Sequence, residues 1–107
     1  MVKGDIILIS FPFTDLSGQK SRPSLVLHVD KGSNCIVTPI SSVKDEKRHL
    51  FDILVKPSKL NGLKLDSLVK INNIATLDKK FTQGQMGKLE AHYVTEVNYK
   101  LKQLFKI

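Results

Sequence analysis

The chain has 107 residues, 41% of them hydrophobic and 25% charged, with a net charge of +7 at pH 7 and a pI near 9.6. This length predicts one domain, residues 1–107, that buries a core without metal or disulfide support, and no run approaches the roughly 18 apolar residues of a membrane span. Met1-Val2-Lys3 leads straight into a first strand without a signal-peptide pattern, so a cytoplasmic protein is expected, and its basic balance points to nucleic acid or an acidic protein as partner.

Two short aliphatic runs, Ile6 to Ile9 and Leu25 to Val29, are bounded by Gly, Pro or Asp and read as buried strands. The polar loop between them, with Gln19 and Lys20 near its end, is too long for a tight hairpin, and long ordered loops in small domains are usually functional. Pro23 biases Arg22 toward an extended backbone, which places that arginine at a stiff loop-to-strand junction suited to clamping an anion.

Asp30 to Asn34 is a turn by composition. Cys35 to Ile40 follows as a third strand, with Pro39 marking an edge or bulge, and Ser41 and Ser42 stand where it opens into the charged loop Lys44 to His49. Leu50 to Val55 is a fourth strand, and Pro57 to Gly62 a turn region with room for one helical turn. Leu65 to Ile71 is a fifth strand and Ile74 to Leu77 a further short one, closed by Asp78-Lys79-Lys80. Gly84 and Gly87 mark a turn into a C-terminal helix. From Leu89, apolar residues recur at Tyr93, Val97, Leu101, Leu104 and Phe105, an amphipathic stripe that packs on a sheet. Short strands with one terminal helix indicate a mainly β fold, a small twisted sheet or barrel.

Cys35 is the only cysteine and reads as a small buried hydrophobe. His28, His49 and His92 share no metal-ligand spacing, so neither metal nor cofactor is expected. No Gly-rich phosphate loop, His-Glu-x-x-His or Gly-x-Ser-x-Gly is present. What remains is a basic chain with Arg22, Ser41, Ser42, Lys70 and Asn72 in its β part. Such a set suits a phosphodiester that carries its own nucleophile. The RNA 2′-hydroxyl needs only positioning, a proton acceptor and neutralisation of the phosphorane-like transition state. Arginine serves the last need because its planar fork binds two phosphate oxygens and stays charged. His28 and His49 have ring pKa values suited to proton transfer, but nothing in the sequence places them beside Arg22. Phe11 and Phe13 suit core or dimer packing better than base stacking.

The segment Gly4-Asp5-Ile6-Ile7-Leu8-Ile9-Ser10-Phe11-Pro12-Phe13-Thr14-Asp15, followed by Arg22-Pro23-Ser24-Leu25-Val26-Leu27, resembles the N-terminal signature of the MazF/PemK (Kid) toxins. Val37-Thr38-Pro39-Ile40-Ser41-Ser42, Asp66-Ser67-Leu68-Val69-Lys70 and Ala75-Thr76-Leu77-Asp78-Lys79 resemble later motifs of that family in the same order. The resemblance implies an SH3-like or plasmid-toxin barrel that forms a homodimer. It implies a metal-independent endoribonuclease that cuts single-stranded mRNA at short sequences, leaving a 2′,3′-cyclic phosphate and a 5′-hydroxyl. The implied partner is an acidic antitoxin that blocks the RNA groove.

Arg22 falls on the family's catalytic arginine before proline, and Ser41 on its strand-end hydroxyl. Gln19, Lys20, Ser42, Lys70 and Asn72 are the RNA-binding candidates. Some members carry arginine and aspartate where this chain has Lys70 and Asn72; lysine keeps a phosphate contact without the fork, and asparagine can read a base edge but cannot be a general base. Two other readings keep the fold and discard the chemistry: a toxin that binds DNA gyrase, and a silent RNA-binding barrel.

Overall fold

The computed structural model describes residues 1–10, 21–43 and 48–107. Phe11, Phe13, Gln19 and Lys20 lie outside the described residues, as does most of the charged loop before His49. The elements in order are β1 (Asp5–Ser10), β2 (Ser21–Val29), β3 (Asn34–Ser42), β4 (Asp52–Val55), β5 (Ser67–Lys70), β6 (Ala75–Asp78), β7 (Thr82–Lys88) and α1 (Ala91–Phe105). They build one seven-stranded antiparallel sheet in the order β4-β5-β3-β2-β1-β7, with β6 paired to β3. The expected mainly β fold with a C-terminal helix is what forms. Among the described residues the sheet is not closed into a full barrel.

Strand alternation sorts the aliphatic residues onto two faces. Ile6 and Leu25 pack with Ile40, Ile53, Val69 and Val97 in one buried cluster. Ile7, Ile9, Val26, Cys35, Val37 and Leu77 form a second. Strands β1 and β4 are separated in the sheet by three others, yet Ile6 and Ile53 share a core. The sheet must therefore curl strongly, and α1 covers the inside of the curl with Val97, its one buried residue.

Several boundaries differ from the sequence reading, β2 starting earlier at Ser21 and β5 later at Ser67. Leu50 stands 73% exposed because β4 begins only at Asp52. The Asp52 N–H donates to the His49 carbonyl at 3.0 Å and the His49 N–H donates to Asp52 Oδ2 at 2.8 Å, which closes a turn over Leu50 and Phe51. The larger correction is Gly84 and Gly87, which lie inside strand β7, opposite Leu8 and Ile6 of β1, rather than in a turn. Gly87 has a packing reason: a Cβ there would sit 2.3 Å from the Leu60 carbonyl oxygen. Its partner is Gly62, whose φ of +71° lies in the left-handed region and whose Cβ would meet the Met86 oxygen at 2.3 Å. The turn after β4 therefore rests directly on β7, and the Lys88 N–H donates to the Leu60 carbonyl at 2.8 Å.

Candidate functional site

Arg22 is the second residue of β2 and pairs with Ile9 of β1. On its other edge β2 pairs with β3, and the ladder ends, among the described residues, at Ser24 opposite Pro39. Continued by two residues, that register sets Arg22 opposite Ser41. The ladder does not continue. Beyond Pro39, β3 pairs with β5 on its far edge, Ile40 to Val69 and Ser41 to Leu68, while its near edge opens.

A cleft of about 590 Å³ occupies the opening, within the size range of pockets that enclose a small ligand. Ser21, Arg22 and Pro23 supply one wall and Ile40, Ser41 and Ser42 the next. Leu63, Lys64 and Leu65, from the segment before β5, also line it, with Ser67 and Met86 completing the lining. Among the described residues the cleft holds two cations, Arg22 and Lys64, and no carboxylate. The Ser21 hydroxyl is hydrogen-bonded to Gln83 and the Ser67 hydroxyl donates to the Leu65 carbonyl at 2.8 Å. The side chains of Ser41 and Ser42 make no hydrogen bond among the described residues. An anionic ligand in this cleft meets the planar guanidinium of Arg22, the ammonium of Lys64 and the hydroxyls of Ser41 and Ser42 beside apolar side chains.

The structure thus brings together Arg22, Ser41 and Ser42. It does not bring Lys70 or Asn72 into the same cleft. Lys70 stands opposite Asp52 in the β4–β5 register, and its Nζ lies 3.0 Å from Oδ2 of that fully buried carboxylate. Asn72 is exposed in the single 3-10 turn Ile71–Asn73. His28 pairs with Asp30 at 2.8 Å near the other end of β2, and His49 Nδ1 accepts the Phe51 N–H; neither lines the cleft. Burial pushes the Cys35 thiol above its ordinary pKa, with Lys79 partly opposing. Among the described residues no three His, Cys, Asp or Glu side chains gather as ligands for a metal ion.

Sequence reasoning missed Lys64, and it missed what holds Lys64 in place. Asn61 has no exposed surface and uses its whole amide. Its Oδ1 accepts from the Ser58 and Leu63 N–H groups, each at 3.0 Å. Its Nδ2 donates to the Lys56 carbonyl at 2.9 Å and to Glu90 Oε1 at 3.0 Å. The available signal was the Asn61-Gly62-Leu63 run just before Asp66-Ser67, legible as a turn but silent about what it would face.

Solved structures match this fold over nearly its whole length. Mycobacterium tuberculosis toxin MazF-mt6 superposes with a TM-score of 0.77 at 21% identity, covering 96% of this chain and 97% of that one. MazF from Deinococcus radiodurans gives 0.77 at 21% identity, with 100% and 97% covered. An endoribonuclease solved in complex with its cognate antitoxin, from a mycobacterial species, gives 0.78 at 14% identity, with 100% and 96% covered. No curated protein matches the sequence significantly. The family model described as PemK-like, MazF-like toxin of type II toxin-antitoxin system matches residues 2–105, and the chain belongs to that family.

Proposed function

We propose that the chain is a single toxin domain with metal-independent, sequence-specific endoribonuclease activity on single-stranded mRNA. The 2′-oxygen of the nucleotide before the cut attacks the adjacent phosphorus, and the P–O5′ bond breaks as the departing 5′-oxygen takes a proton from water. The products are a 2′,3′-cyclic phosphate and a 5′-hydroxyl end. Arg22 neutralises the charge that gathers on the non-bridging oxygens, where a rigid fork is worth most. Ser41 accepts a hydrogen bond from the 2′-hydroxyl, orients it for attack and passes its proton toward solvent. Ser42 contacts RNA inside the cleft. Lys70 and Asn72, which do not line the cleft, contact the strand along its path, and Gln19 and Lys20 complete the RNA-binding set.

The observation that carries this reading is the shared cleft of Arg22 and Ser41, on strand ends that part where their ladder would have joined them. The family supports a toxin paired with an antitoxin, and MazE–MazF structures from Deinococcus radiodurans are among the matches. An acidic antitoxin segment suits the cleft of a chain with net charge +7. A cytoplasmic homodimer completes the proposal.

The test is incubation with a long single-stranded RNA in EDTA, followed by analysis of the ends. Discrete cuts that leave cyclic phosphate and 5′-hydroxyl ends support the nuclease. Bound but intact RNA would replace it with the silent RNA-binding barrel, and neither binding nor cutting would turn attention to gyrase.

A further inference from the structure

We propose that Lys64 is the second phosphate-binding group of the cleft, holding the phosphate next to the scissile one that Arg22 holds; this rests on the nuclease reading above. The two lysines of this region have opposite circumstances. Lys70 has only 18% of its side chain exposed and is held by the buried Asp52. Lys64 is exposed and lines the cleft that also contains Arg22. The acid nearest to it in sequence, Asp66, is already engaged by Lys56 at 2.7 Å, and Lys64 makes no ion pair among the described residues.

Its backbone is fixed although its ammonium is not. Asn61 binds the Leu63 N–H, and Gly62 rests against the Met86 carbonyl. Lys64 therefore follows directly on a hydrogen-bonded turn and lines the same cleft as Arg22, which lowers the ordering cost of a contact. A cleft lined by two cations, one from β2 and one from the segment before β5, and by no carboxylate among the described residues fits two successive phosphates of one strand better than a single isolated phosphate. Lysine in this role supplies a point charge, so it adds affinity and register without reading sequence.

The experiment measures binding of a mixed-sequence 2′-O-methyl single-stranded RNA, which lacks the nucleophile and stays intact, across a salt series. The proteins are wild type, Lys64→Gln, Lys64→Arg and Lys59→Gln, the last removing an exposed lysine of the same turn that does not line the cleft. Loss of one phosphate contact lowers the slope of log affinity against log salt by about 0.7. Lys64→Gln should show that loss and bind several-fold more weakly at low salt. Lys64→Arg should restore the slope, and Lys59→Gln should match wild type. A Lys64→Gln slope equal to wild type, or an equal loss in Lys59→Gln, overturns the assignment and leaves the nuclease reading standing. Failure of the wild type itself to bind overturns both.

Discussion

Asn61 and Glu90 are joined by a 3.0 Å hydrogen bond from the asparagine Nδ2 to the glutamate Oε1. Glu90 is the N-cap of α1, so this bond ties the turn that presents Leu63, Lys64 and Leu65 to the helix covering the core. This part of the cleft lining is thereby anchored to the helix whose N-cap lies 29 residues later.

Asn61→Ala removes acceptor and donors at a side chain with no exposed surface, leaving the buried Leu63 N–H and the Lys56 carbonyl without this partner. Buried groups stripped of partners cost about 1–3 kcal/mol each. Urea denaturation should show a loss of about 2–4 kcal/mol, large for one substitution.

Gly87→Ala should be strongly destabilising, because its Cβ would overlap backbone atoms of Leu60 and Asn61 that cannot rotate away. Gly32→Ala is the matching control. Nothing lies within 4 Å of a Cβ at Gly32, so its thermal midpoint should stay at or slightly above wild type, as stiffening the unfolded chain predicts.

The two lysine–aspartate pairs should differ in worth. Lys70→Ala strands Asp52, whose Oδ1 already lacks a partner among the described residues, and breaking a buried pair from one side costs roughly 3–5 kcal/mol. Lys56→Ala breaks a pair whose side chains are 64% and 46% exposed, worth below about 1 kcal/mol. Denaturant midpoints of the two variants, measured side by side, check the contrast.

Cys35 should resist alkylation in the folded protein. It has no exposed surface, and burial raises its thiol pKa, so the reactive thiolate is scarce at neutral pH. Labelling by iodoacetamide should track unfolding across a urea series, and rapid labelling without urea would contradict the buried placement in the second core.

Much of this architecture was legible in the sequence. β1, β2 and β3 are carried by β-branched and aliphatic runs that are buried consecutively, with neighbours such as Ile6 and Ile7 in different clusters. β7 was not legible: Gln83, Gly84, Gln85 and Gly87 have turn composition, and they become a strand only because β1 offers an edge and Leu60 needs a glycine to approach. The site divides similarly. Arg22 and Ser41 stand out in the sequence by chemistry and motif and line one cleft, whereas Lys70 is engaged by a buried acid on the neighbouring strand, which no local pattern shows. Lys64 depends on where a turn docks, which no local pattern encodes.

The central claim is that Arg22 acts on the transition state within the cleft it shares with Ser41. The most direct measurement compares single-turnover RNA cleavage in EDTA by wild type, Arg22→Lys and Arg22→Ala, beside their affinity for the uncleavable 2′-O-methyl strand. Removal of a preorganised charge-stabilising group costs roughly 10²–10³ in rate. The account predicts that loss for Arg22→Ala, little recovery in Arg22→Lys because a lone ammonium lacks the fork, and affinities that fall far less than the rates. Cleavage by Arg22→Ala at the wild-type rate would contradict it.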